Sequence, residues 1–374
     1  MADKSKQNNF MVQGAILGAA SILVRIIGLI YRVPLNNILG EKGVAYYGAA
    51  YDVYSILLLL SSYSIPLAVS KMVSARVALK QFRNVKRVLK YALLFSLACG
   101  FTAFLITFFG ADLFAKLYYP ETALALRVLS PALIIMSVLG VLRGFFQGFG
   151  TMVPTALSNI FEQIINAAVS IIAAALLFKS AADLAAQPGQ TLNIAEARGA
   201  AGGTLGTVMG ALTALIFMAW LLSAARKRLE RMARRDRTSE EAPASDIFRV
   251  LVLTILPVIV STTIYNVSSL LDGIVFVQLM KVKGFDTDSI AVLNGMYTGQ
   301  YRLIVNVPIA LASALASSLI PSVVASMALK SRGQVIRKID SAIKLTMMIA
   351  LPCAVGVGVL AKPIINLLFR NSVD

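Results

Sequence analysis

The sequence predicts an all-α bundle of membrane-spanning helices, built as two lobes with the second incomplete. Three observations predict it. Of the 374 residues, 58% are hydrophobic and 14% charged, with mean hydropathy +0.77. A soluble domain is about 45–50% apolar and about 25% charged, so both departures indicate lipid as the solvent. Apolar stretches of about 20 residues, enough to cross a bilayer, recur along the chain. Two parts of the chain also repeat one another in order.

Nine spans are readable: 13–35, 45–68, 88–110, 123–146, 152–178, 200–223, 248–272, 292–325 and 339–361. The seventh could run on towards Met280, and the eighth is long enough to tilt or extend beyond the lipid. The first, preceded by Lys4 and Lys6 and broken by Arg25 and Arg32, reads as a retained signal-anchor helix. The loop after span two carries Lys71, Arg76, Lys80, Arg83, Lys86, Arg87 and Lys90 with no acid. The loop after span six runs from Arg226 to Arg237, and that after span eight carries Lys330, Arg332, Arg337 and Lys338. The alternate loops are poor in positive charge: 111–122 has only Lys116, and 179–199 only Lys179 and Arg198. Positive loops stay in the cytoplasm, so the N-terminus is expected there. The loop 71–90 either lies on the inner leaflet as an amphipathic segment or only sets topology.

The net charge of +17 and pI near 10 are accounted for by these loops, so no nucleic-acid partner is expected. The chain has no histidine, which excludes His-based acid–base chemistry and His metal ligation. Cys99 and Cys353 both lie in apolar spans and form neither a disulfide framework nor a CxxC site. With no nucleophile–base or metal constellation, neither enzyme activity, a metal nor a cofactor is expected.

The repeat has an offset of about 250 residues throughout, which amounts to six spans. Tyr47-x-x-x-Tyr51 recurs as Tyr297-x-x-x-Tyr301, and Ile65-Pro66-x-x-Val69-x-x-Met72 as Ile320-Pro321-x-x-Val324-x-x-Met327. A basic loop follows each, then a span holding Lys90 and Cys99 in one copy and Lys344 and Cys353 in the other. Spans one to three thus recur as seven to nine, a parallel repeat. The expected organisation is a six-helix lobe over 1–225, a basic cytoplasmic linker over 226–247 and the first three helices of a second lobe over 248–374. On this reading the chain is a fragment or truncated gene, unless the protein is naturally asymmetric.

Charged residues inside spans are costly and mark function by default. Arg25 and Arg32 are seven residues apart, close to two helical turns, and share a face of span one. Facing a cavity they would form an anion-binding wall, because guanidinium grips phosphate oxygens bidentately; otherwise they snorkel to the interface. Arg302 in span eight has the same two readings, while Arg127 and Arg143 lie nearer span ends, where snorkelling is easier. Asn159, Glu162, Gln163 and Asn166 fall on one face of span five. Glu162 is a proton or sodium site, or it pairs with an arginine and holds the bundle together; Asp52 and Asp272 have the same alternatives. Gly202, Gly206 and Gly210 form a GxxxGxxxG stripe for close helix packing.

The chain resembles the multidrug/oligosaccharidyl-lipid/polysaccharide flippase superfamily, and within it the lipid II flippases and the stage V sporulation protein B branch. Carrying the resemblance are Arg25-Ile-Ile-Gly-Leu-Ile-Tyr-Arg32, Ile65-Pro-Leu-Ala-Val-Ser-Lys71, Arg143-Gly-Phe-Phe-Gln-Gly-Phe-Gly150 with Pro154 and Glu162-Gln163, and Ile320-Pro-Ser-Val-Val-Ala-Ser326. It implies alternating access by two six-helix lobes around a cavity whose arginines meet a substrate pyrophosphate. Arg25 matches a family arginine, whereas Arg32 and Arg302 are each displaced by one position. Ser61 or Ser62 stands where the lipid II flippases have another arginine, which fits the sporulation branch better.

The expected activity is therefore flipping of an undecaprenyl-pyrophosphate-linked glycan, with the pyrophosphate on Arg25, Arg32 and Arg302. The partners implied are the bilayer, the lipid-linked glycan and proteins of cell-envelope synthesis, with a proton or sodium ion for coupling. Two rivals remain open: a multidrug/cation antiporter using Asp52, Glu162 or Asp272, and a non-transporting scaffold.

Overall fold

The computed structural model describes residues 2–185, 193–236, 241–309, 323 and 331–369. Every regular element among them is helical. Seven stretches are long and apolar enough to cross a membrane, and the protein is a multi-pass membrane protein.

The first stretch holds two of the expected spans. Helix α1 (Ala2–Leu58) is broken at Gly40, whose φ of 67° and ψ of 174° suit glycine and strain other residues. Leu35 of one arm and Tyr47 of the other both lie against Gly203, so the arms run side by side. A π-helical turn (Leu59–Tyr63) joins the second arm to α2 (Ile65–Ala78). Pro66 cannot donate a backbone hydrogen bond, and the π turn just before it absorbs the lost register.

The basic segment 71–90 is not an in-plane helix. Lys71 and Arg76 continue α2, and Arg83 to Lys90 open α3 (Phe82–Phe109). The turn between them is short, with Lys80 in a left-handed conformation (φ 59°) closing α2. The short α4 (Ala111–Leu117) follows. The fourth span is split into α5 (Thr122–Leu129) and α6 (Pro131–Gly148), with Pro131 starting the second piece.

Helices α7 (Val153–Ala185) and α8 (Asn193–Arg235) pack together more extensively than any other pair. The glycine stripe is the reason. A Cβ at Gly202 would sit 2.5 Å from the Ala173 carbonyl oxygen, and one at Gly210 2.5 Å from that of Glu162. A second stripe had no part in the sequence reading. Gly144 and Gly148 on α6 bring the α2 backbone so close that a Cβ would meet Pro66 O and Val73 Cβ, each at 2.5 Å. In lipid, such close backbone approach replaces the hydrophobic effect as the glue between helices.

The expected linker begins as helix, since α8 runs through Arg226 to Arg235. Beyond it Asp236 accepts from the Arg83 amide (3.0 Å), and Asn84 accepts from the Ala242 amide (2.9 Å), tying the connection to the start of α3. Then come α9 (Ala244–Val282), α10 (Thr287–Gly295) and a second π turn (Met296–Tyr301). Helix α11 is described over 302–309, so the rest of the expected eighth span lies outside the described residues. The chain ends in α12 (Arg332–Val359) and α13 (Ala361–Leu368), which pack on each other.

Candidate functional site

Arg25 and Arg32 both stand on the first arm of α1 with exposed side chains. Gly28 lies between them, and a Cβ there would be 3.2 Å from Gln163 Nε2, so the polar stripe of α7 packs beside this helix. Arg32 lies within hydrogen-bonding reach of the Tyr31 hydroxyl and close to Tyr47 and Tyr51, and it makes no ion pair with a carboxylate among the described residues. Tyr47 and Tyr51 are one turn apart on the second arm, with ring centroids 4.6 Å apart. Tyr51 hydrogen-bonds Thr207 of α8. Thr207 in turn donates to Asn166 Oδ1 (3.4 Å), which also accepts from Ser170 (3.0 Å). The Arg32 guanidinium is thus near three tyrosines, one of them joined to a hydroxyl and amide chain through α7 and α8.

Arg302 sits elsewhere. It is partly buried at the end of the second π turn, 6.0 Å from the Tyr297 ring centre, and Tyr297 stacks on Tyr301 at 5.4 Å. Asp52, the neighbour of Tyr51, is a nearby counter-charge for Arg302. The Tyr118 hydroxyl, also near Asp52, donates to the Leu270 carbonyl of α9 (3.0 Å). Asp52 on the second arm of α1 and Arg302 at the start of α11 thus lie near one another. Asp272 is exposed on α9, beside Gly273, where a Cβ would lie 2.8 Å from the Tyr118 hydroxyl.

Glu162 is engaged elsewhere. Arg143 Nη2 binds it at 2.7 Å and also donates to Ser158 at 2.6 Å, with the Arg143 and Glu162 side chains only 12% and 23% exposed. Arg143 turns inward to form this pair instead of snorkelling. Arg127 instead pairs with Asp112 at 2.5 Å at an exposed helix end.

At the end of the bundle opposite the N-terminus, α1, α8 and α10 are latched together. Lys42 Nζ is 2.8 Å from Asp288 and 3.3 Å from Asn193, and Asn193 is 3.3 Å from Asp288, a closed triangle across α1, α8 and α10. Asn294 donates to the buried Tyr119 hydroxyl (3.1 Å), and Asn36 to the Gly299 carbonyl (2.8 Å). Gly295 presses on the Glu41 backbone so closely that a Cβ would meet its oxygen at 1.9 Å. The sequence reading missed this latch and the role of Tyr118. The Tyr47/Tyr51 pair was noticed as a repeat mark only, though tyrosine at i, i+4 inside an apolar span is also a polar-site signal.

The model of the polysaccharide biosynthesis protein family matches residues 11–327. The chain belongs to that family. The matches together fit the multidrug/oligosaccharidyl-lipid/polysaccharide superfamily. It is 28% identical to the uncharacterized membrane protein YabM of Bacillus subtilis (strain 168), over 98% of this chain and 65% of that one. The lipid II flippase MurJ of the same organism is 23% identical over 93% of this chain and 64% of its own length. Stage V sporulation protein B is 24% identical over 98% and 68%. The chain therefore spans about two thirds of the length of its curated relatives. Its fold is that of a multidrug resistance MATE family transporter in an inward-facing conformation, with TM-score 0.66 at 15% identity over 92% of this chain and 72% of that one. An outward-facing conformation matches at 0.60 and 16%, over 95% and 74%.

Proposed function

We propose that this protein moves an undecaprenyl-pyrophosphate-linked glycan, a peptidoglycan or related polysaccharide precursor, across the bacterial cytoplasmic membrane by alternating access, with its N-terminus in the cytoplasm. The observation that carries the reading is Arg32, an exposed arginine near Tyr31, Tyr47 and Tyr51 that makes no ion pair with a carboxylate among the described residues. Such a guanidinium is suited to a doubly charged pyrophosphate, which it can grip with paired N–H donors. Arg25 on the same face would extend the anion wall, and Arg302 would engage once the lobes rearrange and Asp52 releases it. Rocking of one lobe against the other around this fixed site would expose it to each side in turn. The name of one relative, the lipid II flippase, agrees with a lipid-linked substrate.

A second reading, ion-coupled export of cationic compounds, rests on Asp52, an acid near Arg302 in a MATE-like fold. Native mass spectrometry separates the two, using wild type, Arg32→Ala and Asp52→Asn with lipid II and with a cationic dye. Lipid II retained by wild type and lost in Arg32→Ala supports the flippase. Dye retained by wild type and lost in Asp52→Asn, with no lipid II bound, replaces it with the exporter.

A further inference from the structure

The latch at the end of the bundle opposite the N-terminus carries more acid than its triangle uses. Lys42 is already paired with Asp288 at 2.8 Å. Glu196, in the first turn of α8, lies near Lys42, Asp288 and Glu121. Glu121 stands just before α5 and makes no capping bond to that helix. Tyr46 of α1 is 1% exposed, with its ring centre 5.5 Å from that of Tyr119. Its hydroxyl lies near Glu121, Glu196 and Asp288 and makes no hydrogen bond among the described residues. One lysine thus faces three carboxylates, carried by α8, α10 and the approach to α5.

The packing keeps water from these groups. Glu121 Oε2 and Glu196 Oε2 are both buried without a hydrogen-bond partner. A Cβ at Gly43, next to Lys42, would lie 3.4 Å from the Glu196 carbonyl oxygen, so α1 closes directly over the start of α8. For two buried carboxylates near one another, loss of water and mutual repulsion both favour the neutral form. Lys42 and the N-terminal end of α8 favour the anion, but Lys42 is shared with Asp288 and the pull of a helix terminus is weak. Glu196 precedes the span over 200–223, and burial pushes its carboxyl up to about 7; Lys42 opposes this, and Asp288 and Glu121 add to it.

We propose that closing this latch takes up one proton, held by the Glu196 and Glu121 pair, and that opening it returns the proton to the surrounding water. Closure adds an O–H to one carboxylate and halves the excess negative charge of the cluster. The two carboxyls titrate together, so the proton belongs to the pair. A carboxyl held above its ordinary pKa when closed binds more protons closed than open. Closure therefore strengthens as pH falls from about 7 towards the ordinary glutamate range, and it is weakest above that window. The inference rests on the alternating-access reading, in which this end of the bundle must open.

The test reads the latch by the distance between nitroxide labels at Ile194→Cys on α8 and Thr287→Cys on α10, both exposed positions. Electron–electron double resonance is recorded in nanodiscs, in a background where Cys99 and Cys353 are serine. The ratio of closed to open protein is expected to fall at least ~10-fold between about pH 5 and about pH 8. Glu196→Gln keeps the side chain's size and is neutral at every pH, so it is expected to stay closed throughout. Glu121→Gln removes an acidic neighbour and is expected to move the transition to lower pH. Glu230→Gln, at the far end of α8 beside Arg226, is expected to change nothing. Equal ratios at the two pH values, a pH response that survives Glu196→Gln, or one that Glu121→Gln leaves unshifted overturns the proposal while leaving alternating access in place. A single distance at every pH and in every variant overturns both.

Discussion

At the scale of single residues the question is which charges are available to a ligand and which are already spent. Arg143 and Glu162 are spent on each other at 2.7 Å within one lobe. Removing one partner of such a poorly exposed pair strands the other charge, a loss of about 3–5 kcal/mol when fully buried. Glu162→Gln is therefore expected to lower the thermal midpoint sharply, and Arg143→Met combined with Glu162→Leu to recover much of it. A double variant no better than Glu162→Gln alone would show that the pair is not the source of the loss. Arg32 differs, since it lies near three tyrosines and makes no ion pair with a carboxylate among the described residues. Arg32→Ala should cost at least ~10-fold in lipid II retention by native mass spectrometry, about the worth of one charge-assisted hydrogen bond, and Arg32→Lys should recover only part because it lacks the bidentate fork. Asp52 competes with any anion for Arg302. Asp52→Asn should then raise lipid II retention a few-fold, and reduced retention would show that Asp52 positions Arg302 instead of competing for it.

At the scale of elements, the helices were legible because their apolar lengths are set by the bilayer: the end of α3 and the start of α7 fall within one residue of the expected 110 and 152, whereas α3 starts six residues before 88 and α7 ends seven after 178, where the helices continue through polar residues. The GxxxGxxxG stripe of α8 was legible for the same local reason, being a regular spacing of small residues on one face. Partnership was not legible. Nothing local to Arg143 says that Glu162 and Ser158, on the next helix, will turn it inward. Nor does Lys71 on its own distinguish an in-plane segment from a prolonged α2, because that depends on Gly144 and Gly148 letting α2 pack on α6 to its end. The packing role of glycine can be measured. At Gly206 a Cβ would lie 2.0 Å from Ser170 Oγ and 2.6 Å from the Asn166 carbonyl oxygen. Overpacking of this kind costs about 1–3 kcal/mol. Gly206→Ala should therefore lower the thermal midpoint, with Ser170→Ala restoring only part of it, because the backbone contact remains. Helix α10 carries a pH-dependent anchor at its start. Asp286 caps it by accepting from the Ser289 amide (3.0 Å), and the Ser289 hydroxyl together with this amide holds the exposed carboxylate below its ordinary pKa. A depressed pKa means that the cap is intact above the usual aspartate range and is lost as pH falls through the lower, folded value. Amide exchange at Ser289 should accelerate over that acid window in wild type and be fast at every pH in Asp286→Ala.

At the scale of the whole molecule, α1, α8 and α10 are joined at one end by a latch whose parts come from distant stretches of chain. Lys42, Asn193 and Asp288 are separated by more than a hundred and fifty and by ninety-five positions in sequence, yet form one triangle. A repeat pattern predicts two lobes, but not where they touch, because the touching residues differ between the copies. If the protein works by rocking, this latch must break each time the far side opens. The Lys42–Asp288 pair is partly exposed, at 21% and 50%, so it adds only about 0–1 kcal/mol by itself. A change of that size still alters a two-state ratio by up to about five-fold, which is enough to read when the two states are close in energy. Lys42→Ala is therefore expected to raise the accessibility of a cysteine placed at Asn294, which is 6% exposed here, to a membrane-impermeant thiol reagent added from outside. Charge reversal at both positions, Lys42→Asp with Asp288→Lys, should return accessibility towards wild type, since the pair is restored with its polarity inverted. Neither single reversal should do so. If Lys42→Ala leaves the Asn294 position as protected as before, the closure is held by Gly295 against Glu41 and by Asn36 against Gly299, backbone contacts that no charge change releases.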